Sequence, residues 1–73
     1  MLLTALREGE EGVVVDILGS PNVRARLIAL GIAPGVRIRV IKAQGPGPMI
    51  IAVGALRVAI GWGIANKIVV RRV

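Results

Sequence analysis

The chain has no cysteine, histidine, tyrosine or phenylalanine, and one aromatic residue, Trp62. Without cysteine it has neither a disulfide nor a thiolate for zinc. Without histidine it loses the commonest transition-metal ligand and the commonest general base at neutral pH. A single aromatic ring cannot line a groove for proline-rich peptides, nor provide the stacking platforms that single-stranded nucleic acids use. Acidic residues are also few. All four (Glu8, Glu10, Glu11 and Asp16) fall in the first 16 positions, and from Ile17 to Val73 there are nine basic residues and no acidic one. That stretch cannot pair with itself, so its positive field faces solvent or a partner: nucleic acid, an anionic membrane surface or an acidic protein face.

What is present is aliphatic. Hydrophobic residues make up 55% of 73, enough for one domain near the lower size limit for a single core. Val, Ile, Leu and Ala must build that core, a composition that favours strands. The longest sparsely charged stretch, Gly45 to Asn66, contains Arg57, two prolines and five glycines. It is therefore not expected to form a helix that crosses a membrane. Met1-Leu2-Leu3 is too short for a signal-peptide core, and a soluble, cytoplasmic protein is expected.

The most informative stretch is Ser20 to Ala43. Ser20 is placed to cap a helix and Pro21 to occupy its first position. Val23, Leu27 and Leu30 recur at helical spacing and are expected to face the core. Gly31 suits a left-handed helix end, after which Ile32 folds back onto the last turn. Ala33-Pro34-Gly35 reads as a turn. Val36, Ile38 and Val40 then alternate with Arg37, Arg39 and Ile41, as in a half-buried strand.

Around this stretch, Met1–Ala5 reads as a leading strand or docked tail, and Glu8 to Gly12 as an exposed glycine-rich turn. Gly12 to Leu18 forms a strand with Val13, Val15 and Ile17 on one face. Gln44 to Pro48 is a hairpin loop, and Met49–Val53 a strand. Gly54-Ala55 makes a type II′ turn, and Leu56 to Ile60 answers with Leu56, Val58 and Ile60 inward. One helical turn at Gly61–Asn66 and a last strand at Ile68–Val70 complete the chain. Five short strands, one helix of about residues 21–30 and tight turns predict a mostly-β, partly open barrel.

Arg26-Leu27-Ile28-Ala29-Leu30-Gly31-Ile32-Ala33-Pro34-Gly35 resembles the RLxxLGixpG core of the FeoA family of ferrous iron transport proteins, and is similar to the C-terminal domain of iron-dependent repressors. Leu6-Arg7-Glu8-Gly9-Glu10-Glu11-Gly12 and Ala65-Asn66-Lys67-Ile68-Val69-Val70 extend the resemblance over nearly the whole chain. It implies a single SH3-like domain over residues 1–73, with the helix inserted between the first two major strands. It also implies a non-enzymatic accessory role in ferrous iron uptake, acting on the cytoplasmic part of a FeoB-type permease, with membrane association through that partner. Leu27, Leu30, Gly31, Ile32, Pro34 and Gly35 are the structural motif.

For catalysis only four carboxylates, Lys42, Lys67 and the chain ends offer acid–base groups, and neither Ser20 nor Thr4 has a candidate base. No enzyme is expected. Fe²⁺ prefers converging nitrogen and carboxylate ligands, whereas the glutamates share one short turn, so neither a dedicated metal site nor a cofactor is expected. In Gly45-Pro46-Gly47-Pro48 the prolines remove N–H donors that a phosphate cradle needs.

The candidates for partner contact are Arg24, Arg26, Met49 and Trp62. Trp62 reads as a core or lid residue, or as an exposed interface anchor between two glycines. Met49 is either core or a soft contact surface, and the two arginines are either solvated or partner-facing. A basic nucleic-acid-binding or transcription-regulatory domain is the alternative, and self-association is open.

Overall fold

The computed structural model describes residues 1–73. A 3-10 turn at Leu3–Ala5 precedes β1 (Glu11–Ile17), α1 (Pro21–Ala29), β2 (Arg37–Lys42), β3 (Met49–Val53), β4 (Leu56–Ile60), the single-turn α2 (Trp62–Ala65) and β5 (Ile68–Arg72). The strands form one antiparallel sheet in the order β4-β3-β2-β1-β5. Irregularities in β1 between Val14 and Asp16, and in β2 between Val40 and Lys42, bend the strands. The inner faces therefore meet in one cluster of 15 buried residues, all aliphatic or Met49. No ladder joins β4 to β5, so the barrel is partly open and mostly β, as the composition predicts.

The start of α1 is set by Ser20, whose Oγ accepts from the Val23 N–H at 3.3 Å, and by Pro21 at the first position. Its end is fixed by two bonds. The Gly31 N–H donates to the Ile28 carbonyl and the Ile32 N–H to the Leu27 carbonyl, both at 2.9 Å. With Gly31 at φ 87°, this is a Schellman end. It leaves Ile32 fully buried beside Leu27. One step later the Val36 N–H bonds the Ala33 carbonyl at 3.0 Å across Pro34-Gly35, with Gly35 at φ 91°, as a type II turn requires. The same corner is tied to β1: the Gly35 N–H donates to the Val14 carbonyl (2.7 Å) and the Val14 N–H to the Val36 carbonyl (2.9 Å).

The chain start docks through a Leu2–Val69 bridge and the Val70 N–H to the Met1 carbonyl (2.7 Å), and this seats Leu3 in the core. Gly54-Ala55 pairs Val53 with Leu56, with positive φ at Gly54 alone, the type II′ pattern.

Side chains in β1, in β4 and at the end of α1 depart from the sequence pattern. In β1 the inward residues are Gly12, Val14 and Ile17, while Val13 is half-buried and Val15 is 47% exposed. The irregularity at Val14–Asp16 advances the alternation by one residue, so no period-2 face links Val13 to Ile17. In β4 only Ile60 is fully inward. Val58 is half-buried, and Leu56 is 62% exposed because it sits at the tip of an edge hairpin that nothing covers. Leu30 caps α1 after its last full turn and stays 43% exposed. Of the two readings of Met49, which begins β3 and is completely buried, the structure takes the core one, so it offers no contact surface.

Two stability measurements follow. A Cβ at Gly31 would meet only Val53 Cγ1, at an ordinary 3.5 Å. Gly31→Ala should therefore lose about 1 kcal/mol or more through backbone strain alone. A denaturant midpoint at or above that of the parent would contradict the left-handed helix end. Met49→Ala should lose about 2–5 kcal/mol through the cavity it opens, and an unchanged melting midpoint would place Met49 outside the core.

Candidate interaction surface

The carboxylates are spent on the fold. Glu8 Oε1 accepts from the Ala43 N–H (2.9 Å) and Glu10 Oε1 from the Arg7 N–H (2.7 Å). Glu10 Oε2 also lies 3.4 Å from Arg72 Nε. Glu11 spans two guanidiniums, at 3.2 Å to Arg37 Nε and 3.5 Å to Arg39 Nη2. Asp16 Oδ1 accepts from the Ile17 N–H (2.8 Å) and lies 3.8 Å from Arg24 Nη1. Exposed pairs of this kind contribute up to about 1 kcal/mol each. Their other effect is directional: each acid faces a backbone N–H or an arginine. No three Asp, Glu, His or Cys side chains come together in a group that could hold a metal ion.

The four residues predicted to meet a partner have different fates. Arg24 turns back onto the barrel, its Nη1 donating to the Ile17 carbonyl at 2.5 Å, which anchors α1 to the end of β1. Met49 is interior. Trp62 is 36% exposed and its Nε1–H donates to the Gly47 carbonyl at 2.9 Å, so its ring holds the Gly45–Pro48 loop and keeps one side open. Arg26 pairs with no carboxylate and stands at the mouth of a groove between α1 and the end of β4 with α2.

That groove, of about 140 Å³, is lined by Val23, Leu27 and Leu30 of the helix side and by Ile60 and Ile64 opposite. It exists because α1, fixed at both ends, stands beside β4 without filling the space up to it. Next to it, Ile28 (52% exposed) and Leu30 give α1 an apolar outer surface. The groove has room for one large aliphatic side chain and offers one guanidinium. It holds no group able to act as a base, since arginine does not lose its proton in proteins. Of the sequence candidates, only Arg26 and the motif residues Leu27 and Leu30 come together here. Gly31, Ile32, Pro34 and Gly35 shape the corner behind it. Ile28 and Ile64 were missed: helical spacing marks Ile28 as off the core face, but only the packing shows that Ile64 faces α1.

No helix is long and apolar enough to cross a membrane. The profile of the FeoA domain matches residues 1–72. A curated protein of Methanocaldococcus jannaschii, provisionally named Fe(2+) transport protein A, is 40% identical over 68 residues, 93% of this chain and 82% of that one. Among solved structures, an iron uptake regulatory protein (FeoA) superimposes with a TM-score of 0.93 at 41% identity, covering 100% of this chain and 97% of that chain. Stenotrophomonas maltophilia FeoA complexed with zinc, described as a prokaryotic SH3 domain protein, gives 0.83 at 28% identity over 97% and 89%. A manganese-dependent transcriptional repressor gives 0.90 at 27% identity, with this chain matching 41% of its length. The fold is thus the SH3-like barrel that the RLxxLGixpG resemblance implies, with α1 inserted between β1 and β2, and the chain belongs to the FeoA family.

Proposed function

We propose that this chain is a cytoplasmic, non-enzymatic accessory protein of ferrous iron uptake, which binds the cytoplasmic GTPase-bearing part of a FeoB-type permease through the groove beside α1. Membership of the FeoA family over residues 1–72 carries the transport role. The groove carries the mode of action. Two elements hold open an apolar slot with Leu30 and Ile28 exposed beside it, on a helix that solvent alone would favour as polar. Arg26 at the mouth adds an unpaired positive charge, so the matching segment of the partner is apolar with an acidic flank. The protein binds no iron of its own in this role. Its carboxylates are dispersed among arginines and backbone N–H groups.

The likeness to a repressor domain and the net charge of +6 favour, as a second reading, a regulatory or nucleic-acid-binding module. One partly exposed tryptophan, hydrogen-bonded to a loop, supplies little for base stacking.

Calorimetric titration against the soluble part of the permease, in each nucleotide state and with or without Fe²⁺, tests the reading. Saturable binding is expected. Leu30→Ala should weaken it about tenfold or more, mainly through faster dissociation, and Arg26→Glu should slow association and change its salt dependence. No binding in any nucleotide state would overturn the partner assignment. Tight stoichiometric uptake of Fe²⁺ by the isolated chain would overturn the metal-free role.

A further inference from the structure

Away from the groove, the outer face of the sheet collects arginines that the sequence scatters. The ladder registers place Arg57, Ala52, Arg39 and Glu11 side by side across β4, β3, β2 and β1. A neighbouring row places Arg37, Val13 and Arg71 side by side across β2, β1 and β5. Directly paired residues share a face and alternate residues of a strand return to it, so all four arginines point outward together, and all four are exposed. Glu11 is the only acid in these rows. It lies between Arg37 and Arg39 and holds both guanidiniums in place, while Arg57 and Arg71 have no carboxylate at all. Strand spacing separates Arg57 from Arg39, and Arg37 from Arg71, by about 10 Å.

Arg37, Arg39 and Arg57 line a shallow open hollow of about 490 Å³, together with Glu11, Ile41 and Ala52. Leu56 and Val73, 62% and 60% exposed, are the two most exposed large aliphatic side chains of the chain. Leu56 pairs with the buried Val53 and so faces away from Arg57. Val73 adjoins the band beside Glu11, its N–H bonded to the Glu11 carbonyl at 3.1 Å.

We infer that this face is a docking surface for an anionic lipid bilayer. The arginines form a two-dimensional array without a cleft that would select a single anion. The array matches a surface of many laterally mobile phosphates, to which each arginine near the headgroups adds attraction. Val73, two residues on from Arg71 and 60% exposed, lies at the margin of the band and is placed to enter the headgroup region, the division of labour seen in peripheral membrane binding. Nucleic acid is the poorer fit, because the face carries no aromatic ring for bases to stack on. The surface is distinct from the groove beside α1 and does not depend on the permease. A chain docked by this face leaves the groove free.

The test is co-sedimentation of the full chain with vesicles of neutral phosphatidylcholine, and of phosphatidylcholine containing phosphatidylglycerol, at low and physiological salt. Binding is expected only to the anionic vesicles, falling as salt rises. Arg57→Gln and Arg71→Gln should each reduce the partition coefficient about fivefold. Arg24→Gln, on α1 away from the band, should leave it unchanged. Circular dichroism of each variant confirms that it is folded, and Val73→Ser gives a readout independent of charge, expected to weaken binding several-fold. Equal binding to neutral vesicles, no binding to either, or equal loss with Arg24→Gln would each overturn the inference. So would preferential binding of duplex DNA at physiological salt with the same dependence on Arg57 and Arg71.

Discussion

Four hydrogen bonds between residues 27 and 36, and two from that segment to Val14, hold the parts of this molecule in register. The Schellman end stops α1 at a fixed rotation with Leu27 inward, and the type II turn reverses the chain within one step. The bonds to Val14 on β1 then set where β2 enters the sheet. Each depends on a backbone conformation that glycine adopts without strain, at Gly31 and Gly35. If the corner shifts, the helix leaves the β4 side and the groove closes or vanishes. A one-residue slip of β2 would turn Arg37 and Arg39 into the core. One local constraint thus serves both surfaces.

Charge placement follows from the same geometry. The acids are confined to the segment from Glu8 to Asp16, and β1 lies between β2 and β5. Those acids therefore meet Arg37, Arg39 and Arg72 and leave the β4 side of the sheet without negative charge. The excess charge of +6 is consequently not spread evenly. Of the cations without a carboxylate, Arg57 and Arg71 lie on the outer face of the sheet and Arg26 on α1, while the inner face carries no buried polar or charged side chain.

Much of this is legible in the residues themselves. Ser20-Pro21, Gly31 and Pro34-Gly35 encode their conformations locally, so the helix bounds and the corner can be read directly. Alternation in β2 is read correctly for Ile38 and Val40. What fails is what depends on distant partners. The phase of β1 is broken by an irregularity whose cause lies in its pairing with β5, and a run of three valines cannot reveal it. Leu56 fits an inward pattern, yet β4 is an edge strand, and sheet order is not local information. Met49 after its Gly-Pro loop reads as core or as contact surface, and its pairing with Ile60 on the inner face makes it core. The rows of arginines emerge only once four registers are known, which is why Arg24 and Arg26, two residues apart on one helix, draw notice first. Of those two, Arg24 is drawn away by the Ile17 carbonyl.

The central claim is that the corner is part of the cooperative core although Pro34 and Gly35 themselves are exposed. Native-state hydrogen exchange tests it residue by residue. The amides of Gly31, Ile32, Gly35 and Val14 should exchange only through global opening, with protection equal to that of Ile38 and Ile51 in the central strands. Exchange of Gly31, Ile32 and Gly35 at the rate of the Gly45–Gly47 loop, while Ile38 and Ile51 stay protected, would show that the corner opens by itself and cannot be what fixes either surface.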